Sequence, residues 1–346
     1  MSWCPFYWGK ITHHIEGCVL VILRIAVGFL ILFSASGSAS EPHAPAQPTE
    51  SEVRLETGTG TLYGSLLLPP STGPHPLVLL HAGSGPTDRN GNSALLPGAN
   101  DSLKLLAEAL AVRGIASVRY DKRGVAASAA AAPTESDLRF DTYVEDAAAW
   151  VRQLRTDPRF GTITLLGHSE GALIGMLAAT QARADAFISV AAPARSAPEI
   201  IRDQLRPQLP DELWRDSERI LSELEQGRTT EGVPPALASL FRASVQPYLI
   251  SWFRYVPTEE IQHAPGPVLI VHGTTDVQVH PSEAEALKHA RPDAELFLVE
   301  GMNHMLKTVP TNPAQQNASY SDASLPVAPL LVDHIVEFTD RVQRLP

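Results

Sequence analysis

The chain has 346 residues, 44% of them hydrophobic and 19% charged, a globular composition long enough for one large domain or two small ones. Its formal net charge of −11, with no run of Lys or Arg, excludes the basic footprint that a nucleic-acid backbone demands. The two cysteines, Cys4 and Cys18, are too few for a disulfide-rich scaffold.

Taken from the N-terminus, an apolar run at 25–33 (IAVGFLILF) follows Arg24 and leads into small residues at 34–40 (SASGSAS). That order reads as a signal peptide over residues 1–40. The apolar stretch between Cys18 and Phe33 is broken by Arg24, which leaves it short of the roughly 20 residues a spanning helix needs. An uncleaved N-terminal anchor is the alternative, and the one route to a membrane. Both cysteines fall in this leader, so the mature part has no thiol nucleophile, disulfide or Cys–zinc site. Residues 41–51 begin EPHAPAQPTE, with three prolines, and read as a flexible tether. The folded domain is expected over 52–346.

Within it, β-type runs alternate with helical patterns. Segments 52–56 and 61–68, around Thr-Gly-Thr-Gly, suggest an antiparallel hairpin. Strands are expected at 77–81, 115–120, 162–166, 186–191, 268–271 and 295–299, and helices at 101–113, 142–156, 170–183, 282–290 and 328–342. Several of the strands are continuously apolar, as strands covered on both faces are. The alternation predicts a mostly parallel, doubly wound α/β sheet. It breaks over 194–262, which is helical in pattern and opens on a capping box at Ser196 and Glu199. Trp214, Phe241, Tyr248, Trp252, Phe253 and Tyr255 fall in this stretch, which predicts a helical cap. Trp214, Tyr248, Trp252 and Phe253 are its candidate pocket residues, although interior aromatics also pack without touching a ligand.

The chemistry centres on Gly167-His-Ser-Glu-Gly171. The pattern G-x-S-x-G is weak alone, but here a strand precedes it and a helix follows at once, which is the context of a nucleophile elbow. The glycines allow strand and helix backbones to approach closely and push Ser169 outward. The backbone N–H of Glu170, at a helix N-terminus, is a candidate oxyanion donor. The Gly-rich loop after the strand at 77–81 is expected to supply a second, with Ser84 first choice and Gly83 second. This loop is not a phosphate loop, since no Gly-Lys-Ser/Thr follows.

A serine needs a general base, and the base an orienting carboxylate. Asp276 follows the strand at 268–271 and His304 follows the strand at 295–299, in the chain order such an elbow takes. His168 is expected to point away from Ser169. No H-E-x-x-H occurs, so no metal site is expected, and the chemistry needs no cofactor.

The segments AGSGPTDRNGN (82–92), RYDKRG (119–124), GHSEG (167–171), PVLIVHGTTDVQV (267–279) and GMNHMLK (301–307) resemble bacterial α/β-hydrolases of an exported carboxylesterase group related to prolyl-oligopeptidase-like catalytic domains. The resemblance implies an eight-stranded sheet, a helical cap, the triad Ser169–Asp276–His304 and a small-molecule ester, short-chain acyl, as substrate. His81-Ala82 stands where many such proteins carry His-Gly, so the register of the second oxyanion donor stays open. Asp88, Arg89, Asp121, Lys122 and Arg123 belong to the resemblance too, either as a clamp for a substrate carboxylate or as a buried ion-pair network fixing the loops. Thioester or aminoacyl hydrolysis with the same triad, and a noncatalytic binding protein of the same fold, are the competing functions.

Overall fold

The computed structural model describes residues 47–132 and 134–345. The expected leader, both cysteines and most of the expected tether lie outside those residues.

The first element is the antiparallel pair β1 (Thr49–Thr57) and β2 (Gly60–Leu68), in register from Thr49 opposite Leu68 to Thr57 opposite Gly60. Order therefore begins before residue 52: the last residues of the expected tether, Thr49 to Ser51, are strand. Their backbone groups find partners on β2 as far as Leu68, and that pairing outweighs the nearby prolines.

The chain then alternates: β3 (His75–His81), α1 (Ser102–Val112), β4 (Ala116–Tyr120), α2 (Phe140–Arg155), β5 (Phe160–His168), α3 (Glu170–Ala182) and β6 (Ala186–Val190). Five short helices follow, α4 (Ala197–Leu205), α5 (Asp211–Glu225), α6 (Ala238–Phe241), α7 (Gln246–Trp252) and α8 (Pro257–Glu260). They fall within the stretch expected to be a cap. At its start Ser196 donates both its N–H and its hydroxyl to Glu199 Oε2, at 3.0 and 2.6 Å, which holds the first turn of α4. The chain closes with β7 (Val268–Gly273), α9 (Ser282–Ala290), β8 (Glu295–Val299), α10 (Pro313–Ser319) and α11 (Pro329–Gln343).

The strands form one eight-stranded sheet in the order β1-β2-β4-β3-β5-β6-β7-β8. β1, β2 and β4 are joined antiparallel, and every pairing from β4 onward is parallel. The central strands are apolar on both faces because both are covered. Leu77 and Leu79 pack into one core with α2 and α3, while Val78 and Leu80, one residue out of phase, pack into a second with α1 and α11. No helix among the described residues is long and apolar enough to cross a membrane.

Two features position the site. Every parallel strand points its C-terminal end to the same edge of the sheet, the usual place for ligands in such sheets. Strand β5 also runs to His168, two residues past its expected end, and delivers its chain directly into the turn at Ser169.

Candidate active site

Ser169 has φ 57° and ψ −126°, an unfavourable conformation for a side chain with a Cβ, held because the surroundings leave no alternative. Its N–H donates to the Val190 carbonyl on β6 at 2.9 Å. A Cβ on Gly167 would stand 2.1 Å from the Gly171 carbonyl, and one on Gly171 would stand 2.5 Å from that of Ala82. Both glycines are thus required by backbone contact, and the turn is as tight as the motif implies.

Asp276 lies just past β7 and His304 past β8. His304 Nδ1 donates to Asp276 Oδ2 at 2.7 Å, and both side chains are almost fully buried. The other carboxylate oxygen accepts the N–H groups of Gln278 and Val279 at 2.8 and 2.9 Å. Burial acts to raise the Asp276 pKa, but the charges and hydrogen bonds of His304, His272 and Val279 overcome it and leave the pKa below its ordinary value. The imidazole is therefore held by an ionised carboxylate, which fixes its tautomer and frees Nε2 for proton transfer.

The loop carrying His304 is shaped by Asn303. Its Oδ1 accepts the N–H groups of Met305 and Lys307 at 3.1 Å each, and its amide donates to Ser319 on α10 at 2.8 Å. The sequence reading gives Asn303 no role and places no helix at α10; the Asn-Pro pair at Asn312 is the helix-start signal it passes over.

Ser84 and Glu170 line a cavity with Ser169, its volume about 90 Å³. Leu173, Ile200, Ile201, Leu240, Trp252 and Val279 make most of the wall apolar. Of the four expected pocket aromatics only Trp252 reaches it. Tyr248 is buried and donates to Glu170 Oε1 at 2.7 Å. Trp214 lies under the Arg206 guanidinium, 5.3 Å from its ring centre, and Phe253 packs on the flank of Trp252. Both are partly buried and pack against the outside of the hydrophobic core rather than lining the cleft.

The charged residues do not form one network, nor do they meet at the cleft. Arg89 donates to both oxygens of Asp121, from its main chain at 2.8 Å and from Nη2 at 2.7 Å. Arg123 binds Asp146 through Nε and Nη2. Asp88 caps its own loop by accepting the N–H groups of Asn90 and Asn92. Asp121, Lys122 and Arg123 are consecutive, so their side chains leave the chain in different directions and each finds a separate partner. Lys122 is fully buried and donates to the Gly83 carbonyl.

Among the described residues no group of three or more His, Cys, Asp or Glu side chains is placed to hold a metal ion. A serine on a strained turn and a carboxylate-held imidazole, brought to one sheet edge, are chemically suited to nucleophilic acyl transfer.

Residues 77–315 match the sequence profile described as Alpha/beta hydrolase family. The chain belongs to this family. Among curated proteins it is similar to Esterase EstD of Thermotoga maritima, with 28% identity over 280 residues, covering 80% of this chain and 65% of that one. The chain thus spans slightly less than two thirds of that relative's length. Among solved structures, Est1E from Butyrivibrio proteoclasticus aligns with a TM-score of 0.55 at 18% identity, covering 84% of this chain and 98% of that one. The esterase domain of a Rhodothermus marinus protein aligns at 0.53 and 20%, covering 85% and 98%. These two likenesses are ones of fold, and this chain shares with them the sheet of the alpha/beta hydrolase family.

Proposed function

We propose that the protein is a serine hydrolase that cleaves short-chain carboxylic esters through an acyl-enzyme intermediate. The observation that carries this reading is the 2.7 Å bond between His304 Nδ1 and buried Asp276, on the same sheet edge as the strained turn of Ser169. The esterase named among its curated relatives supports the same reaction class.

In this reading His304 Nε2 takes the proton of Ser169 as Oγ attacks the ester carbonyl. The C=O electrons move onto oxygen, where the N–H groups of Glu170 and Ser84 stabilise the charge. Collapse expels the alcohol, which receives the proton from His304, and the acyl group stays on Ser169. A water deprotonated by His304 then attacks the acyl-enzyme, and the acid leaves as Ser169 regains its proton. Asp276 stays ionised throughout. The small apolar cavity favours a short acyl group, and the leader pattern of residues 1–40 supports export from the cytoplasm.

The test is turnover of p-nitrophenyl acetate, together with labelling by a fluorophosphonate probe. Wild type should react with both, and Ser169→Ala with neither. Turnover retained by Ser169→Ala would overturn the assignment.

A further inference from the structure

We propose that Lys122 is a positioning residue of the oxyanion site: by holding the Gly83 carbonyl, it fixes the peptide whose N–H, that of Ser84, faces Ser169. This rests on the acyl-transfer reading above and adds to it a residue that never touches substrate.

In a trans peptide the C=O and the following N–H point in opposite directions. Lys122 Nζ donates to Gly83 O, so the oxygen of the 83–84 peptide is pinned on the Lys122 side. Its N–H is thereby turned to the other side, where Ser84 lines the cavity with Ser169 and Glu170. The peptide also lies against the nucleophile, since a Cβ on Gly83 would stand 3.2 Å from Ser169 Cβ. Gly83 forms one side of this peptide, and a glycine restricts its rotation little. An anchor on the carbonyl is what keeps one rotation.

The anchor is an unusual choice for packing alone. Lys122 is 1% exposed, and burying an ammonium costs far more than burying an aliphatic chain. Its neighbours Asp121 and Arg123 are committed to Arg89 and Asp146. The Tyr143 ring faces it at 5.7 Å, and the Glu170 carboxylate offsets its burial through space. A cation on the carbonyl side also polarises the peptide and strengthens the N–H as a donor.

Glu170 links the two halves of the site. In the proposed reading its N–H is the other oxyanion donor, its carboxylate accepts the Tyr248 hydroxyl from α7, and its charge acts on Lys122 through space.

The experiment compares wild type with Lys122→Met, which keeps the stem and loses the donor, and Lys122→Arg, which keeps a donor. Each is assayed with p-nitrophenyl acetate and with a trifluoromethyl ketone, whose tetrahedral adduct bears the oxyanion. For Lys122→Met, kcat should fall about tenfold to a hundredfold with KM unchanged, and the ketone should bind weaker by a similar factor. Lys122→Arg should recover part of both. A folded Lys122→Met with kcat and ketone affinity within about twofold of wild type overturns the proposal. If Lys122→Met does not fold, Lys122→Arg decides: its displaced donor should lower kcat and ketone affinity several-fold with KM unchanged, and wild-type values of both overturn the proposal. A wild-type enzyme that neither turns over the ester nor reacts with a fluorophosphonate overturns the acyl-transfer reading itself, and the role of Lys122 with it.

Discussion

His168 Nε2 donates to the main-chain carbonyl of His304 at 2.9 Å, with the two rings 4.9 Å apart. The residue that precedes Ser169 thus grips the loop that carries His304, and the Ser169 and His304 side chains are held in register by a contact neither of them makes. Replacing His168 by Phe keeps a ring but leaves that carbonyl buried without its donor. Stability should fall by about 1–3 kcal/mol, read from urea denaturation, and kcat by about tenfold as the base loop shifts. A fully stable, fully active His168→Phe would show that the contact holds nothing.

Acid should unfold the protein early. Burial lowers the pKa of His168 to about 3, against an ordinary 6.5, and lowers those of His81 and His272 as well. Each is neutral when folded, so below pH 6.5 the unfolded chain binds more protons than the native one. Stability is complete above that pH and declines as pH drops toward 3, by at most about 1.4 kcal/mol per pH unit for each histidine. Urea midpoints measured between neutral and acid pH should trace the decline, with a shallower slope in a His168 variant. Midpoints that do not move with pH would contradict it.

Turnover should fall on the alkaline side as Lys122 loses its proton. Burial lowers its pKa to about 8, with the Glu170 carboxylate opposing. The groups around it are His81 on β3, Asp121 and Arg123 beside it, Tyr143 and Asp146 on α2, Glu170 on α3 and Tyr248 on α7. The tyrosines among these have pKa values raised by burial and stay protonated through this range, and the histidine is held neutral. A limb in kcat near pH 8 should therefore be present in wild type and missing in Lys122→Met. The same limb in both proteins would assign it to another group.

Trp252 stacks on Phe140 at 6.0 Å and closes one side of the cavity. Trp252→Ala should open room for a longer acyl chain. Since each buried methylene contributes about 0.8 kcal/mol, the two extra methylenes should raise the kcat/KM ratio for p-nitrophenyl butanoate over acetate roughly tenfold. An unchanged ratio would place the acyl group elsewhere in the cleft.

The sheet was legible because its central strands are buried on both faces and so read as short apolar runs, and because helices with a different period separate them. Glu295-Leu-Phe-Leu-Val299 could be placed even at an edge. The turn at Ser169 was legible because backbone contact demands glycine at 167 and 171. What the sequence hid are contacts between polar groups far apart in the chain, which leave no periodic trace. Tyr248 read as a pocket aromatic because nothing near it in sequence announces Glu170. Lys122 read as one of a charged cluster because adjacency in sequence suggests a shared role, while consecutive side chains diverge in space. His168 was set aside for pointing away from the serine, and its partner proved to be the main chain of His304.

Ser169, Asp276 and His304 sit at the ends of β5, β7 and β8, and Lys122 and the loop carrying Ser84 hang from β4 and β3. The working parts are thus divided among strands that meet only when the parallel sheet is complete, and parallel pairing of distant segments is slow compared with local helix formation. During refolding, recovery of hydrolysis should coincide with the last step of sheet assembly, well after helical signal returns. On the proposed reading, a nascent or misassembled chain carries an ordinary serine hydroxyl, and only the finished architecture would switch its reactivity on.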